Sequence, residues 1–178
     1  MYLITKSIDI DFAHHIRGHA GACINIHGHT WRFEVGVSAD ELDAQGFVVD
    51  FAVLKKNVLR PCHQLLDHSL ALGADTYDDI AAQLEPMGVA LLESRRELHG
   101  RIDTLELPHV ELEGAETRFP GGMKIAVFPF NPTSERISEW LYRVTAKAVQ
   151  DDRVRVDFTR VYETQRPTDS IAEYRPSR

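Results

Sequence analysis

Apolar and polar residues alternate with a period of two near the N-terminus. Ile8, Ile10, Phe12 and His14 share one parity, with Asp9, Asp11 and Ala13 on the other. That pattern predicts a half-buried strand over Ser7 to Ala13, ending at a histidine. Residues 17 to 25 read as a loop broken by Gly18, Gly21 and Asn25. A second alternating run follows from His27 to Val37, with His27, His29, Trp31, Phe33, Val35 and Val37 on one face. Gly46 to Val49 reads as a third short strand. Asp50 then suits the N-cap of a helix carrying Val53, Leu54, Val58, Leu65 and Leu66, disturbed at Pro61. Helical patches are expected at Ile80 to Leu84 and Val89 to Leu98. Met123 to Phe128 reads as a strand. Asn131 or Thr133 caps the next helix, and Ile137, Trp140, Leu141, Val144 and Ala148 keep one apolar stripe along it. Val154 to Thr164 and Ser170 to Tyr174 close the chain as strands. Strand pairs followed by single helices predict an α+β fold, an antiparallel sheet with helices on one face.

The 178 residues suit a single domain spanning 1–178. Twenty Lys and Arg against 27 Asp and Glu give a net charge of −7, which argues against a nucleic-acid coat. The imbalance is local. Residues 73–121 hold eleven acidic and four basic side chains, a net of −7, so the other residues balance. This stretch is expected to be an acidic insert. No apolar run approaches the roughly 20 residues that span a bilayer, and no signal-peptide layout is evident at the start. Two cysteines, Cys23 and Cys62, are too few for a disulfide scaffold, so a cytoplasmic location is expected.

Five of the nine histidines fall between His14 and His29. On a strand, residues i and i+2 face one side about 6.6–7 Å apart, so His27 and His29 can reach one ion. His14 supplies a third ligand if the two strands pair. Three histidines with a vacant fourth position are the layout of a catalytic zinc. His15 points the other way on a strand, and His19 has no clear role. Cys23 precedes His27 by four residues, and a thiol near a dication would be acidified and able to act as base or nucleophile. A small buried apolar residue is its blander reading, and the one expected of Cys62. The adjacent Asp67 and His68 can form an acid–base pair. Glu163 is a charge near the end of a largely apolar strand, able to accept two N–H donors from a heterocycle or simply exposed there.

Taken together, the segments Gly18–Thr30, Val49–Phe51 with Leu54–Lys55, Leu66–His68, Asn131–Glu135, Val161–Thr164 and Ala172–Tyr174 resemble, in order, the 6-pyruvoyltetrahydropterin and 6-carboxytetrahydropterin synthase family. The resemblance implies the tunnelling fold, with two main helices on one face of the sheet. It also implies ring assembly, as homohexamers of two stacked trimers, with active sites between subunits. By the same resemblance His14, His27 and His29 bind Zn2+, Cys23 is the general base, Asp67 and His68 relay protons, and Glu163 anchors the pterin. The implied substrate is 7,8-dihydroneopterin triphosphate. The short spacing from Cys23 to His27 resembles the branch that makes 6-carboxytetrahydropterin, acetaldehyde and triphosphate for queuosine and related deazapurines. The pyruvoyl-forming branch and a non-catalytic zinc- or pterin-binding module are the alternatives. The stretch 73–121 has no counterpart in compact members, and its carboxylates are expected to lie away from the triphosphate entrance.

Overall fold

A computed structural model describes residues 1–84, 89–91, 123–165 and 169–177. Its elements are β1 (Tyr2–His14), β2 (His27–Ala39), α1 (Phe51–Leu54), a π-helical stretch (Lys55–Leu59) and α2 (Arg60–Leu66). They continue with β3 (Leu70–Gly73), α3 (Ala74–Leu84), β4 (Val89–Leu91), β5 (Met123–Phe128), α4 (Ser134–Val149), β6 (Val154–Thr164) and β7 (Ser170–Tyr174). The strands form one sheet in the order β4-β5-β3-β1-β2-β6-β7. Among the described residues no helix is long and apolar enough to cross a membrane.

β1, β2, β6 and β7 pair antiparallel, as the order of strands and helices predicts. β3 pairs parallel to β1, and β5 parallel to β3 and β4, so the sheet is mixed. β3 escapes the sequence reading because Leu70–Gly73 is buried on both faces and carries no alternation. Leu72, Ile125 and Val127 pack with Tyr77 of α3 on one side, while Ala71, Ala126 and Phe128 join the main core on the other. α3 thus covers the face opposite the two main helices.

Those helices bury Leu54, Val58, Leu59, Cys62, Leu65 and Leu66 from the first, and Ile137, Trp140, Leu141 and Val144 from the second, in one cluster with Trp31, Phe33 and Val35. Asp50 caps α1, its carboxylate accepting from Ala52 N at 2.7 Å. Pro61 does not break the helix. The π-turn before it, closed by Arg60 N donating to Lys55 O, absorbs the irregularity. Thr133 is the cap of α4, accepting from Arg136 N at 3.3 Å.

Two expectations are corrected. Residues 46–49 form no strand, because their backbone bonds go to a local turn and to side chains: Gly46 N donates to Asp43 O, Asp43 N to Phe47 O, Phe47 N to Asp43 Oδ1, and Arg153 to the carbonyls of Phe47 and Val48. Val89–Leu91 is a strand rather than the start of a helix, since its backbone pairs with β5. The rest of that patch, and most of the acidic stretch, lie outside the described residues.

A β-bulge orients β6. Gly36 pairs with Phe158 and Val37 with Val156, which leaves Asp157 as the extra residue. Before it Val154 and Val156 point to the core. After it Thr159 and Val161 do, and Glu163 shares their parity. Gly36 is required here, because a Cβ on it would lie closer than 3.0 Å to the Phe158 ring. That ring cannot easily yield, since the Arg160 and Arg175 guanidinium carbons sit 4.2 and 5.2 Å from its centroid. Gly36→Ala should therefore destabilise the chain by about 1–3 kcal/mol in urea unfolding. A change below about 0.5 kcal/mol would show that the ring moves freely.

Candidate metal and proton-transfer site

The β1–β2 register sets His14 opposite His27 and Phe12 opposite His29, so three imidazoles meet on the core face at the loop end of the ladder. Trp31 braces them. It stacks on Phe12 at 4.6 Å and meets His14 and His29 edge-on at 4.9 and 5.5 Å. His14 is 1% exposed, so its ring has little room to turn.

Backbone carbonyls select the tautomers. His14 Nδ1 lies 2.9 Å from Pro132 O, and His27 Nδ1 lies 2.8 Å from Asn25 O. A carbonyl only accepts, so each Nδ1 carries a proton, and the neutral form of each ring leaves a bare lone pair outward at Nε2. The two Nε2 atoms are 3.0 Å apart. With both protons on Nδ1 this contact is not a hydrogen bond but two lone pairs facing each other, an arrangement a cation relieves. His29 Nε2 is buried without any hydrogen-bond partner. Burial foremost, then the neighbouring His14 and His27, lowers the His29 pKa against the opposing pull of Glu163, which keeps the ring neutral and able to ligate.

Glu163 completes the group. Its Oε1 lies 3.4 Å from His14 Nε2 and 3.6 Å from His29 Nε2, and Ser134 Oγ donates to its Oε2 at 3.3 Å. A proton on His14 Nε2 would be donated to this carboxylate, and that hydrogen bond foremost holds the Glu163 carboxyl below its ordinary value despite partial burial. One donor atom from each of His14, His27, His29 and Glu163 lies within 4.8 Å of the others. Tetrahedral zinc bonds of about 2.0–2.1 Å place ligand atoms roughly 3.3–3.4 Å apart, so the residues fit such an ion with small adjustments.

His15 and His19 stand outside this group. The His15 ring contacts Ile24 O at 2.7 Å, and His19 Nδ1 accepts from Gly21 N at 2.9 Å. Cys23 lies in a short 3-10 turn (Ala22–Ile24), half-buried and free, and its carbonyl accepts from Ile16 N at 3.0 Å. Cys62 is fully buried, and burial pushes its thiol far up, so it is a core residue.

Asp67 and His68 form the expected pair, His68 Nδ1 lying 2.9 Å from Asp67 Oδ2. His68 adopts a left-handed conformation, φ 57°, and its N–H donates to Asp11 O at 2.7 Å. Burial opposes ionisation of Asp67. The hydrogen bond from His68, the charge of His63 and the Asp11 N–H outweigh it and lower the Asp67 pKa. The pair hangs on β1 three residues from His14, roughly 10 Å along the strand, so within one chain it does not touch the histidine group.

Two supporting side chains were not singled out for the site from sequence. Lys124 caps the end of α2, donating to Gln64 O at 2.6 Å and Asp67 O at 2.7 Å. Asn131 is not the helix cap but a clamp on Arg17.

The chain matches the family described as 6-pyruvoyl tetrahydropterin synthase over residues 3–177. A curated relative from Haemophilus influenzae, named 6-carboxy-5,6,7,8-tetrahydropterin synthase, is 26% identical over 98% of this chain and 99% of its own length. A relative of that name from Bacillus subtilis is 47% identical over 38% of this chain, and the match spans 44% of the relative. In structure, an uncharacterized protein of Wolinella succinogenes superposes with a TM-score of 0.68 at 24% identity, covering 99% of this chain and 98% of its own. The Caenorhabditis elegans 6-pyruvoyl tetrahydropterin synthase does so with a TM-score of 0.55 at 15% identity, covering 99% and 96%. The mixed sheet is thus the tunnelling fold, and the chain belongs to the 6-pyruvoyl tetrahydropterin synthase family.

Proposed function

We propose that this chain is a zinc-dependent lyase converting 7,8-dihydroneopterin triphosphate and water to 6-carboxy-5,6,7,8-tetrahydropterin, acetaldehyde and triphosphate, a step toward queuosine and related deazapurines. The observation that carries the reading is the histidine group, with two opposed lone pairs and an orphaned buried His29 Nε2, in a chain whose relatives are named for that product. A nitrogen-rich donor set with one carboxylate suits zinc rather than magnesium or calcium. Bound there, the ion would supply Lewis acidity toward the hydroxyls of the substrate side chain.

The protein groups do the rest. Cys23, in the turn leading to His27, takes the proton from the side-chain carbon. Asp67 orients His68, which passes protons to and from the substrate. Glu163 accepts the N–H donors of the pterin ring. A neighbouring copy in a ring would bring a second Asp67–His68 pair toward the metal group. A homohexameric ring of two stacked trimers, in the cytoplasm, would supply that copy and cover the edges left by β4 and β7.

The 3.4 and 3.6 Å approaches of Glu163 favour a second reading, in which it serves as a fourth metal ligand. Glu163→Gln separates the two. As ring anchor, the change should raise KM at least tenfold and leave zinc affinity within about threefold. A tenfold loss of zinc affinity with KM unchanged would make Glu163 a ligand.

Incubation of the protein with 7,8-dihydroneopterin triphosphate should yield the carboxy product and acetaldehyde by mass spectrometry. A pyruvoyl product would move it to the sister branch, and no product from zinc-loaded rings would end the lyase reading. Zinc at about 100 times its dissociation constant should stabilise the folded chain by about 2.7 kcal/mol, and His27→Ala should abolish that gain. Cys23→Ala should keep the zinc and lose at least 100-fold in kcat; retained turnover would remove Cys23 from the mechanism.

A further inference from the structure

The loop between β1 and β2 carries Cys23, yet few of its own bonds explain how it is held. Ile16 N donates to Cys23 O at 3.0 Å, and the His15 ring contacts Ile24 O at 2.7 Å. These bonds tie the loop to itself. At its β2 end Asn25 O lies 2.8 Å from His27 Nδ1. At its β1 end the peptide is held by Asn131, 114 residues away: Arg17 N donates to Asn131 Oδ1 at 3.0 Å, and Asn131 Nδ2 donates to Arg17 O at 2.9 Å. A carboxamide is the one side-chain type that mirrors a peptide, offering an acceptor to its N–H and a donor to its C=O. The adjoining residue, Pro132, is buried and gives its carbonyl to His14 Nδ1. One dipeptide therefore holds both the loop of the thiol and the ring of a metal histidine.

We infer that Asn131 is a positioning residue: its amide, paired to both sides of the Arg17 peptide, fixes the Cys23 loop against the His14, His27 and His29 group. The inference rests on the reading that Cys23 and these histidines belong to one site. The Arg17 guanidinium also reaches α3, donating to Asp75 O at 2.8 Å and pairing with Asp79 at 2.5 Å. That ion pair is half-exposed, and such pairs contribute little. The amide is the main tether and the guanidinium the lesser one.

The test reads the loop directly and does not need turnover. Cys23 alkylation by iodoacetamide is followed by mass spectrometry, with buried Cys62 as the internal control. When opening is fast relative to modification, the rate follows the open population. Losing two hydrogen bonds of ordinary strength should raise that population roughly 10- to 100-fold. Asn131→Ala should thus alkylate at Cys23 at least tenfold faster, with Cys62 still protected. Arg17→Ala, which leaves the peptide in place, should accelerate it less than threefold. Asn131→Asp keeps the acceptor, loses the donor and should fall between, so the series stands even if the alanine variant fails to fold. In turnover, Asn131→Asp should lower kcat with KM within about threefold, a split that general destabilisation would not produce. An alkylation rate within twofold of the parent in folded Asn131→Asp, or an Arg17→Ala effect as large as that of Asn131→Ala, would overturn the assignment. If no variant and no parent turned over substrate, the lyase reading would fail while the alkylation series still decided the role of Asn131.

Discussion

The pairing of His14 with His27 across the β1–β2 ladder is the constraint on which the rest of the site depends. Once those residues are opposite, Phe12 must face His29, and the period of two sends all three rings to the core side. Trp31 then leaves them little freedom to turn away. The carbonyls of Pro132 and Asn25 remove the remaining choice by holding the Nδ1 protons. The result is a set of lone pairs that cannot satisfy one another. Leaving a buried acceptor unpaired costs about 1–3 kcal/mol, a cost that a cation between the rings would remove.

The bulge at Asp157 has an equal part on the other side of the ladder. Without an extra residue in β6, the parity that buries Val154 and Val156 would send Tyr162 to the core and Glu163 to the outer face. In the folded chain Tyr162 instead donates to Glu34 on the outer face at 2.8 Å, within an ion network with Arg160 and Glu173. The carboxylate reaches the histidines because one residue was inserted between Val156 and Phe158. Gly36 is the counterpart that leaves room for the displaced aromatic ring.

Much of this was legible in the sequence, for reasons that particular residues make clear. Alternation located β1 and β2, since each has apolar residues of one parity turned to the core. The caps at Asp50 and Thr133 were readable because they are local chemistry. β3 was not, because an apolar run buried on both sides has no period to detect. The clamp by Asn131 and the cap by Lys124 join residues 114 and 57–60 positions apart, and no local pattern encodes such distances. The histidine spacing suggested a site, but the tautomers that make it one depend on carbonyls that only the fold brings near.

The acidic stretch that dominates the net charge meets the site from an unexpected direction. Its first described part, α3, packs on the back of β3 and β5. From there Asp79 neutralises Arg17, the cation nearest the clamped peptide. At least one carboxylate of the stretch therefore pairs with the Cys23 loop while remaining exposed. A balanced catalytic body joined to an acidic segment is consequently not two electrostatically independent parts. Removing α3 would free a positive charge on the loop at the same time as it removed a tether. A shortened chain should therefore alter both the local field around the loop and the order of the segment that carries Cys23.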